Sequence, residues 1–414
     1  MTPLRLVLVN VFIRVASAAS GQLFAFVLAE QMGSRAATGS LLAGAIGLAF
    51  YATELIGAPI AGHIADERGQ LRVLRWGPIF GIASVLLGAA AALTVTSIAI
   101  LAGTLVIARL VEGISAACTV PTTLALLARA SDRPGAPGSR LRLMGLFEIA
   151  SLGGIIGGYL LAGVVWDMLG GAAFLILPLV YVISLTLARG DDERVEPAFR
   201  EKLWNTLRAV LNDRGSRGFA VAWLAVNAVV GIWLQQAPYL LKLPVRSSSQ
   251  SLVGGYEART IGFIFALWAA TFLAGIAAWS FIAPSWPRPQ TLKIALIGML
   301  AVVASLGVVN HGGSHWVLAI AAVSVMIESG FTPAAFAHLA DITDARERSR
   351  GRAMGLYSLL LGLGQLMGAA IGAPFAAQWQ MDGVLAATAI LAVIALAGID
   401  RMPAIGDRAH SPAA

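Results

Sequence analysis

Residues 139–148 read SRLRLMGLFE and residues 349–358 read SRGRAMGLYS. Six of the first eight positions coincide: Ser139 with Ser349, Arg140 with Arg350, Arg142 with Arg352, Met144 with Met354, Gly145 with Gly355 and Leu146 with Leu356. The offset of 210 residues is about half of the 414-residue chain. The match extends both ways. Pro121 pairs with Pro333 and Asp132 with Asp344 at an offset of 212, while Gly154 and Gly158 pair with Gly364 and Gly368 at 210. A phrase written twice at this spacing predicts a chain built of two like halves.

Composition says what the halves are made of. The chain is 58% hydrophobic and 12% charged, with a mean hydropathy of +0.79. A soluble chain carries about 25% charged residues, so a soluble globule is excluded. Twelve apolar stretches approach or exceed the roughly 20 residues that cross a bilayer: about 4–29, 36–61, 73–96, 98–128, 142–166, 171–189, 217–241, 259–283, 290–309, 315–340, 352–377 and 382–400. In lipid each must satisfy its own backbone, so these are helices. The 45 glycines suit helices whose backbones approach closely. Arg5, a short apolar run and Ala16-Ser17-Ala18 imitate a signal peptide. Asn10 and Arg14 interrupt that run, and the first stretch is read as a retained helix.

Lys and Arg collect in cytoplasmic loops. With both termini inside, 23 of the 29 cations fall on the cytoplasmic side and only Arg35, Lys242, Arg246 and Arg259 outside. The net charge of +7 is therefore spread beside anionic lipid and does not point to nucleic acid. Between the sixth and seventh spans the chain turns polar, and then Phe199, Leu203, Trp204, Leu207, Val210 and Leu211 recur at helical spacing. The predicted organisation is a six-helix bundle over 1–189, a cytoplasmic linker over 190–216 with an amphipathic helix on the inner membrane face, a second bundle over 217–401, and a tail over 402–414. Two halves running in the same direction are one of the repeat designs of secondary transporters.

Between the second and third spans stands GHIADERGQLR, Gly62 to Arg72. With the twelve-span repeat, this stretch resembles the major facilitator superfamily, whose pattern there reads roughly G-x-L-A-D-R-x-G-R-K. Gly62, Ala65, Asp66 and Gly69 match, Ile64 replaces Leu, and Glu67 and Gln70 depart from basic residues. The resemblance implies a cytoplasmic gate made by Gly62, Asp66, Gly69 and Arg72, with Arg68, Arg72 and Arg75 as the basic residues available to Asp66. ARLVEGISAA, Ala108 to Ala117, resembles the family's fourth-helix pattern, in which Arg109 matches the residue associated with proton coupling in antiporters. GGIIGG, Gly153 to Gly158, is similar to the fifth-helix antiporter motif, with Gly154 where Pro is expected. These two motifs imply export rather than uptake.

Charges within spans are costly, roughly 2.5–3.5 kcal/mol each on insertion scales, and face a bundle interior or wet cavity. Arg14, Glu54, Arg109, Glu112, Glu148 and Glu328 are of this kind. They either form static ion pairs that pin helices together or carry substrate and proton coupling. Arg109 and Glu112, at i and i+3, share one helix face, so the arginine holds Glu112 ionised and leaves Glu328 the expected proton carrier. Neutral candidates for a cavity lining are Asn10, Gln22, Asn227, Trp233, Gln236 and Gln365, with Trp223 and Gln235 beside them. His338 reads as a hydrogen-bonded bystander.

Other chemistry finds no support. Cys118 is the single cysteine, so neither a disulfide nor a thiolate metal cluster is expected. No G-x-x-x-x-G-K-[ST] stretch and no G-x-S-x-G elbow occurs; no catalytic residue, metal or cofactor is expected. The sequence therefore predicts an all-α, twelve-span membrane protein that moves a small organic solute by alternating access, with proton-coupled efflux as the leading reading. Uptake symport and lipid flipping on the same fold are the alternatives. The expected partners are the solute, protons and membrane lipid, with no nucleic acid; the expected protein is a monomer in the cell membrane, both termini cytoplasmic.

Overall fold

The computed structural model describes residues 2–33, 35–94, 97–131, 139–190, 214–282, 286–344 and 350–402. Among them there is no strand. The helices are α1 (Pro3–Met32), α2 (Ala36–Arg68), α3 (Gln70–Thr94), α4 (Ile98–Ser131), α5 (Ser139–Leu169), α6 (Leu177–Leu187), α7 (Arg214–Lys242), α8 (Ala258–Ile282), α9 (Arg288–Asn310), α10 (Val317–Glu328), α11 (Phe331–Asp344) and α12 (Arg350–Asp400). The expected amphipathic helix of the linker and the C-terminal tail fall outside the described residues.

Ten segments among the described residues are long and apolar enough to cross a membrane. Two are too long for one crossing: Ile149–Leu187 has 39 residues and Leu359–Asp400 has 42. Each contains a break. Gly170, at φ 55°, ends α5 and opens a 3₁₀ turn over Gly170–Ile176 that leads into α6. Gln380, at φ 53° and ψ −126°, interrupts α12; a non-glycine residue at positive φ is uncommon and here reverses the chain. Gly383 then lies against the Phe375 carbonyl, so the two arms of α12 fold back on each other. Ten segments with two such breaks make twelve crossings. The predicted span over 315–340 is itself divided, into α10 and α11, at Ser329 and Gly330.

Glycine decides which helices touch. A Cβ on Gly154 would stand 2.7 Å from the Arg14 Cβ and 2.8 Å from the Val11 carbonyl, so α5 lies directly on α1. In the second half, Gly364 would meet the Asn227 Cβ at 2.6 Å and the Leu224 carbonyl at 2.8 Å, placing α12 on α7. Between the halves, α5 packs on α8 and α2 on α12, while α1 meets α7. Exchanging first-half helices for their second-half counterparts turns the α5–α8 contact into α12–α2. That is the signature of a pseudo-two-fold axis. The outer surface is apolar, as lipid requires: Phe281 is 86% exposed and Leu179 62%.

The end of the bundle that carries the 243–257 connection, called distal here, holds the polar ties between halves. Lys242 Nζ lies 3.3 Å from Glu30 Oε1, which also accepts a 2.9 Å hydrogen bond from Trp166 Nε1. Asp167, next along α5, accepts from the backbone N–H of Ala258 at 3.2 Å and Arg259 at 2.9 Å. Those two amides begin α8, and the carboxylate also meets the positive end of its helix dipole. Tyr239 donates to the Ala36 carbonyl and Gln236 Nε2 to the Ser40 carbonyl. By the distribution of Lys and Arg, this is the end expected outside the cell.

Candidate functional site

The first half places its charges on three helices that glycine lets approach. Gly113 of α4 has no room for a Cβ, which would stand 2.5 Å from the Phe50 carbonyl and 2.8 Å from the Thr53 Cβ. This contact sets α4 against α2. It brings Arg109 and Glu112, one turn apart, beside Phe50 and Glu54.

Arg109 and Glu112 close on each other. The guanidinium Nη1 lies 2.7 Å from Glu112 Oε2, with side chains only 5% and 1% exposed. The other carboxylate oxygen, Oε1, accepts hydrogen bonds from Ser20 and Ser17 of α1, the latter at 3.3 Å. The guanidinium carbon sits 4.3 Å from the Phe50 ring centroid and 5.5 Å from that of Phe24, both within cation–π range. Such a buried pair needs additional hydrogen bonds to offset desolvation, and the serines supply them. Ser17, Ser20, Phe24 and Phe50 carried no signal in the sequence, where they read as ordinary helix packing.

Arg14 and Glu54 behave differently. Both are half-buried, and Arg14, Arg109 and Glu112 are the charges whose field Glu54 feels. Yet among the described residues neither makes a hydrogen bond or an ion pair. Gln235 of the second half lies against Gly47 of α2, one turn before Tyr51. Gln22 is buried, and neither polar atom of its amide has a hydrogen-bond partner among the described residues.

The second half holds Glu328. It is the last residue of α10, half-buried at the break before α11, and it too lacks a hydrogen bond or ion pair among the described residues. The break is stabilised around it. Trp279 Nε1 donates to the Met326 carbonyl at 3.0 Å and Ser329 Oγ to the same oxygen at 2.7 Å.

Polar groups of several predicted cavity residues have partners within the protein. Asn10 donates to Ser151 Oγ at 2.7 Å, tying α1 to α5. Asn227 donates to the Trp223 carbonyl one turn back, and Trp233 Nε1 to Thr388 Oγ1 at 3.0 Å. Gln236 joins the distal seam, and the Gln365 backbone lies against Gly231. His338 is buried, its ring tilted against that of Phe219 with centroids 4.9 Å apart. The backbone of Glu148 is helical; its side chain lies outside the description.

At the predicted gate, Gly69 adopts φ 103° and ends α2, its N–H bonded to the Ala65 carbonyl. Gly62 faces open space. A cavity of about 230 Å³ lies here, bordered by Pro59, Gly62, Asp66, Gln70, Pro121 and Thr122. Arg72 is exposed. Arg75 is committed elsewhere, donating to the Ala188 carbonyl at 2.6 Å and so binding α3 to the end of α6.

Charges gathered inside a two-half helical bundle call for comparison with known proteins. The Major Facilitator Superfamily profile matches residues 6–341 and, in a second overlapping match, 255–405. The chain belongs to that superfamily. Its fold is similar to that of the nucleoside transporter NupG, with a TM-score of 0.74 at 12% identity over 97% of this chain and 100% of that one. It is also similar to a bacterial homologue of the iron transporter ferroportin in an inward-facing state, with a TM-score of 0.67 at 16% identity over 96% and 98%. A POT family transporter solved with 5-aminolevulinic acid gives a TM-score of 0.69 at 13% identity over 95% and 94%. No curated protein sequence matches significantly. Membership makes the chain a multi-pass membrane protein of a transporter family.

Proposed function

We propose that the chain exports a small organic solute in exchange for protons, by alternating access between the halves 1–189 and 217–401. Family membership supports transport. The similarity of Arg109 and of Gly153–Gly158 to antiporter motifs supports export. The distal ties between halves, set against a gate region at Gly62–Arg72 with a cavity beside it, support a conformation closed at the distal end.

The observation that carries coupling is Glu328. A carboxyl inside the membrane with no ion pair among the described residues can gain and lose a proton without breaking a buried pair. Glu112, fixed by Arg109 and two serines, cannot. In this mechanism Glu328 is the proton carrier, Arg109 and Glu112 hold α4 to α1, and Asp66 secures the gate in one of the two states.

Proteoliposomes test this. A solute found by thermal-shift screening of the purified protein, which reports ligands that stabilise the native state, is loaded and followed with and without a pH gradient. Glu328→Gln is expected to abolish accumulation against a gradient while sparing solute exchange, which needs no net proton movement. A variant that still concentrates solute removes Glu328 from the mechanism. The sign of flux under an imposed gradient separates export from uptake.

A further inference from the structure

Two pairs of opposite charge lie within the packed helices of the first half, one closed and one open. Arg109 and Glu112 meet at 2.7 Å with every carboxylate oxygen engaged. Arg14 and Glu54 stand further apart than the 4.0 Å of an ion pair and use none of their polar atoms on described protein groups. The difference lies in how each is mounted. Arg109 and Glu112 share a helix face and reach each other by side-chain torsion alone. Arg14 and Glu54 stand on different helices, and close packing fixes both roots. The Arg14 Cβ is pressed by Gly154, and the backbone nitrogen of Glu54 lies 3.2 Å from where a Gly113 Cβ would stand. Neither helix can slide towards the other without losing these contacts.

We propose that Arg14 and Glu54 form the two poles of a binding site for a small zwitterionic solute, its anionic group on Arg14 and its ammonium group on Glu54. The inference rests on the reading of the chain as a solute transporter and gives that reading a substrate class. A guanidinium presents a planar fork of donors that matches a carboxylate or phosphate. A carboxylate is an acceptor-only group that matches an ammonium. A purely anionic solute would bring its charge beside Glu54, and a purely cationic one beside Arg14; each would meet repulsion in a low-dielectric setting. A solute carrying both charges neutralises both poles at once. Phe50, half-buried and one turn before Glu54 on α2, supplies apolar surface for the carbon skeleton. Gln22, buried on α1 two turns beyond Arg14 with an amide that no described residue satisfies, adds a donor and an acceptor of the kind that discriminates between solutes.

The test uses full-length protein in nanodiscs and a probe series of ω-amino acids, from glycine to 7-aminoheptanoic acid. Each probe is compared with its amide, which removes the negative charge, and its N-acetyl derivative, which removes the positive one. Binding is read by thermal shift and calorimetry. At least one chain length is expected to bind, and both blocked derivatives of that length to bind at least tenfold more weakly. Arg14→Gln should abolish the preference for the free carboxylate, so that the amino acid and its amide bind alike. Glu54→Gln should do the same for the free amine. Arg14→Lys and Glu54→Asp, which keep the charges, should keep both preferences with weaker binding, and they serve if the neutral variants fail to fold.

The proposal is overturned if no member of the series binds, if a blocked derivative binds as tightly as its parent, or if binding is indifferent to Arg14→Gln and Glu54→Gln. Failure of the transport reading looks different. A probe that binds with the expected charge dependence but is not exchanged across proteoliposomes leaves the site standing and removes transport. A solute that is transported while Arg14 and Glu54 are dispensable does the reverse.

Discussion

Gly154 of the first half and Gly364 of the second each lie under a residue of the helix that opens their half, 2.7 Å from the Arg14 Cβ and 2.6 Å from the Asn227 Cβ for a built Cβ. The neighbouring contacts agree: the Val11 carbonyl in one half answers to the Leu224 carbonyl in the other. The two halves are thus packed by one rule, yet the position of Arg14 in the first half is held by the neutral Asn227 in the second. The same happens on α4. Carried forward by the 212-residue offset of Pro121 and Pro333, Arg109 and Glu112 fall on Ala321 and Ser324. Carried back, Glu328 falls on Ala116. The repeat preserves small residues where helices touch and lets the chemistry diverge. Among the described side chains, four of these interior charges, Arg14, Glu54, Arg109 and Glu112, lie in the first half and one, Glu328 at a helix break, in the second.

If packing is common to both halves, Gly158→Val and Gly368→Val should be equally ruinous. A Cβ on Gly158 would lie 2.5 Å from the Val15 carbonyl, and one on Gly368 would strike the Ala228 carbonyl. Overpacking by even a methylene costs about 1–3 kcal/mol, and here the obstacle is backbone. Neither variant is expected to yield monodisperse protein in size-exclusion chromatography. Gly153→Ala, with nothing within 4 Å, should unfold within about 0.5 kcal/mol of wild type. Tolerance of the change in one half alone would break the symmetry.

The charged interior gives the next largest contrast. Arg109→Ala strands a carboxylate that is 1% exposed and should destabilise by about 3–5 kcal/mol, read as a fall in thermal midpoint. Adding Glu112→Gln should restore much of that loss. In the second half, Asn227→Ala removes one hydrogen bond within its own helix and should cost about 1 kcal/mol. Equal costs at 109 and 227 would mean the halves do not differ as described.

The seam between halves offers a smaller effect. Asp167→Asn weakens the cap on α8 by about 1 kcal/mol, which is roughly fivefold in an equilibrium. On a Cys118→Ser background, Ser40→Cys, buried at the seam, should then react severalfold faster with an impermeant maleimide added at the distal face. An unchanged rate would show that Asp167 does not hold that end shut. The smallest perturbation only reports direction. Cysteines at Gly190 and Ser249 should label from opposite membrane faces without loss of activity, and same-side labelling would overturn two parallel halves.

How much of this was legible beforehand depends on the range of the signal. The twelve crossings, the repeat and the packing glycines could be read because hydropathy and small residues act locally along the chain. The Arg109–Glu112 pair was legible for the same reason, being three residues apart on one helix. Its anchoring by Ser17 and Ser20 was not, because a serine in an Ala-rich helix reads the same whether it faces a carboxylate or a methyl group. By residue type Asn10, Trp233 and Gln236 read as cavity polar groups, and in the structure each makes an interhelical hydrogen bond. Residue type says that a polar group inside a membrane needs a partner; only the fold says whether that partner is another helix.

The distal seam has a thermodynamic consequence. Its ion pairs are partly exposed, with Glu30 at 48% and Arg259 at 65%, and such pairs are worth about 0–1 kcal/mol each. Reversing a conformer ratio from 1:99 to 99:1 takes about 5.5 kcal/mol of differential binding. In the alternating-access mechanism proposed above, a seam assembled from a few such ties would leave the two access states within reach of that figure, so that occupancy of a single internal site could tip them. The same exposure places these ties within a Debye length of the medium at the distal face, about 8 Å at physiological salt. Raising the ionic strength on that side alone weakens the closed form, and the turnover rate then depends on which compartment the salt is in.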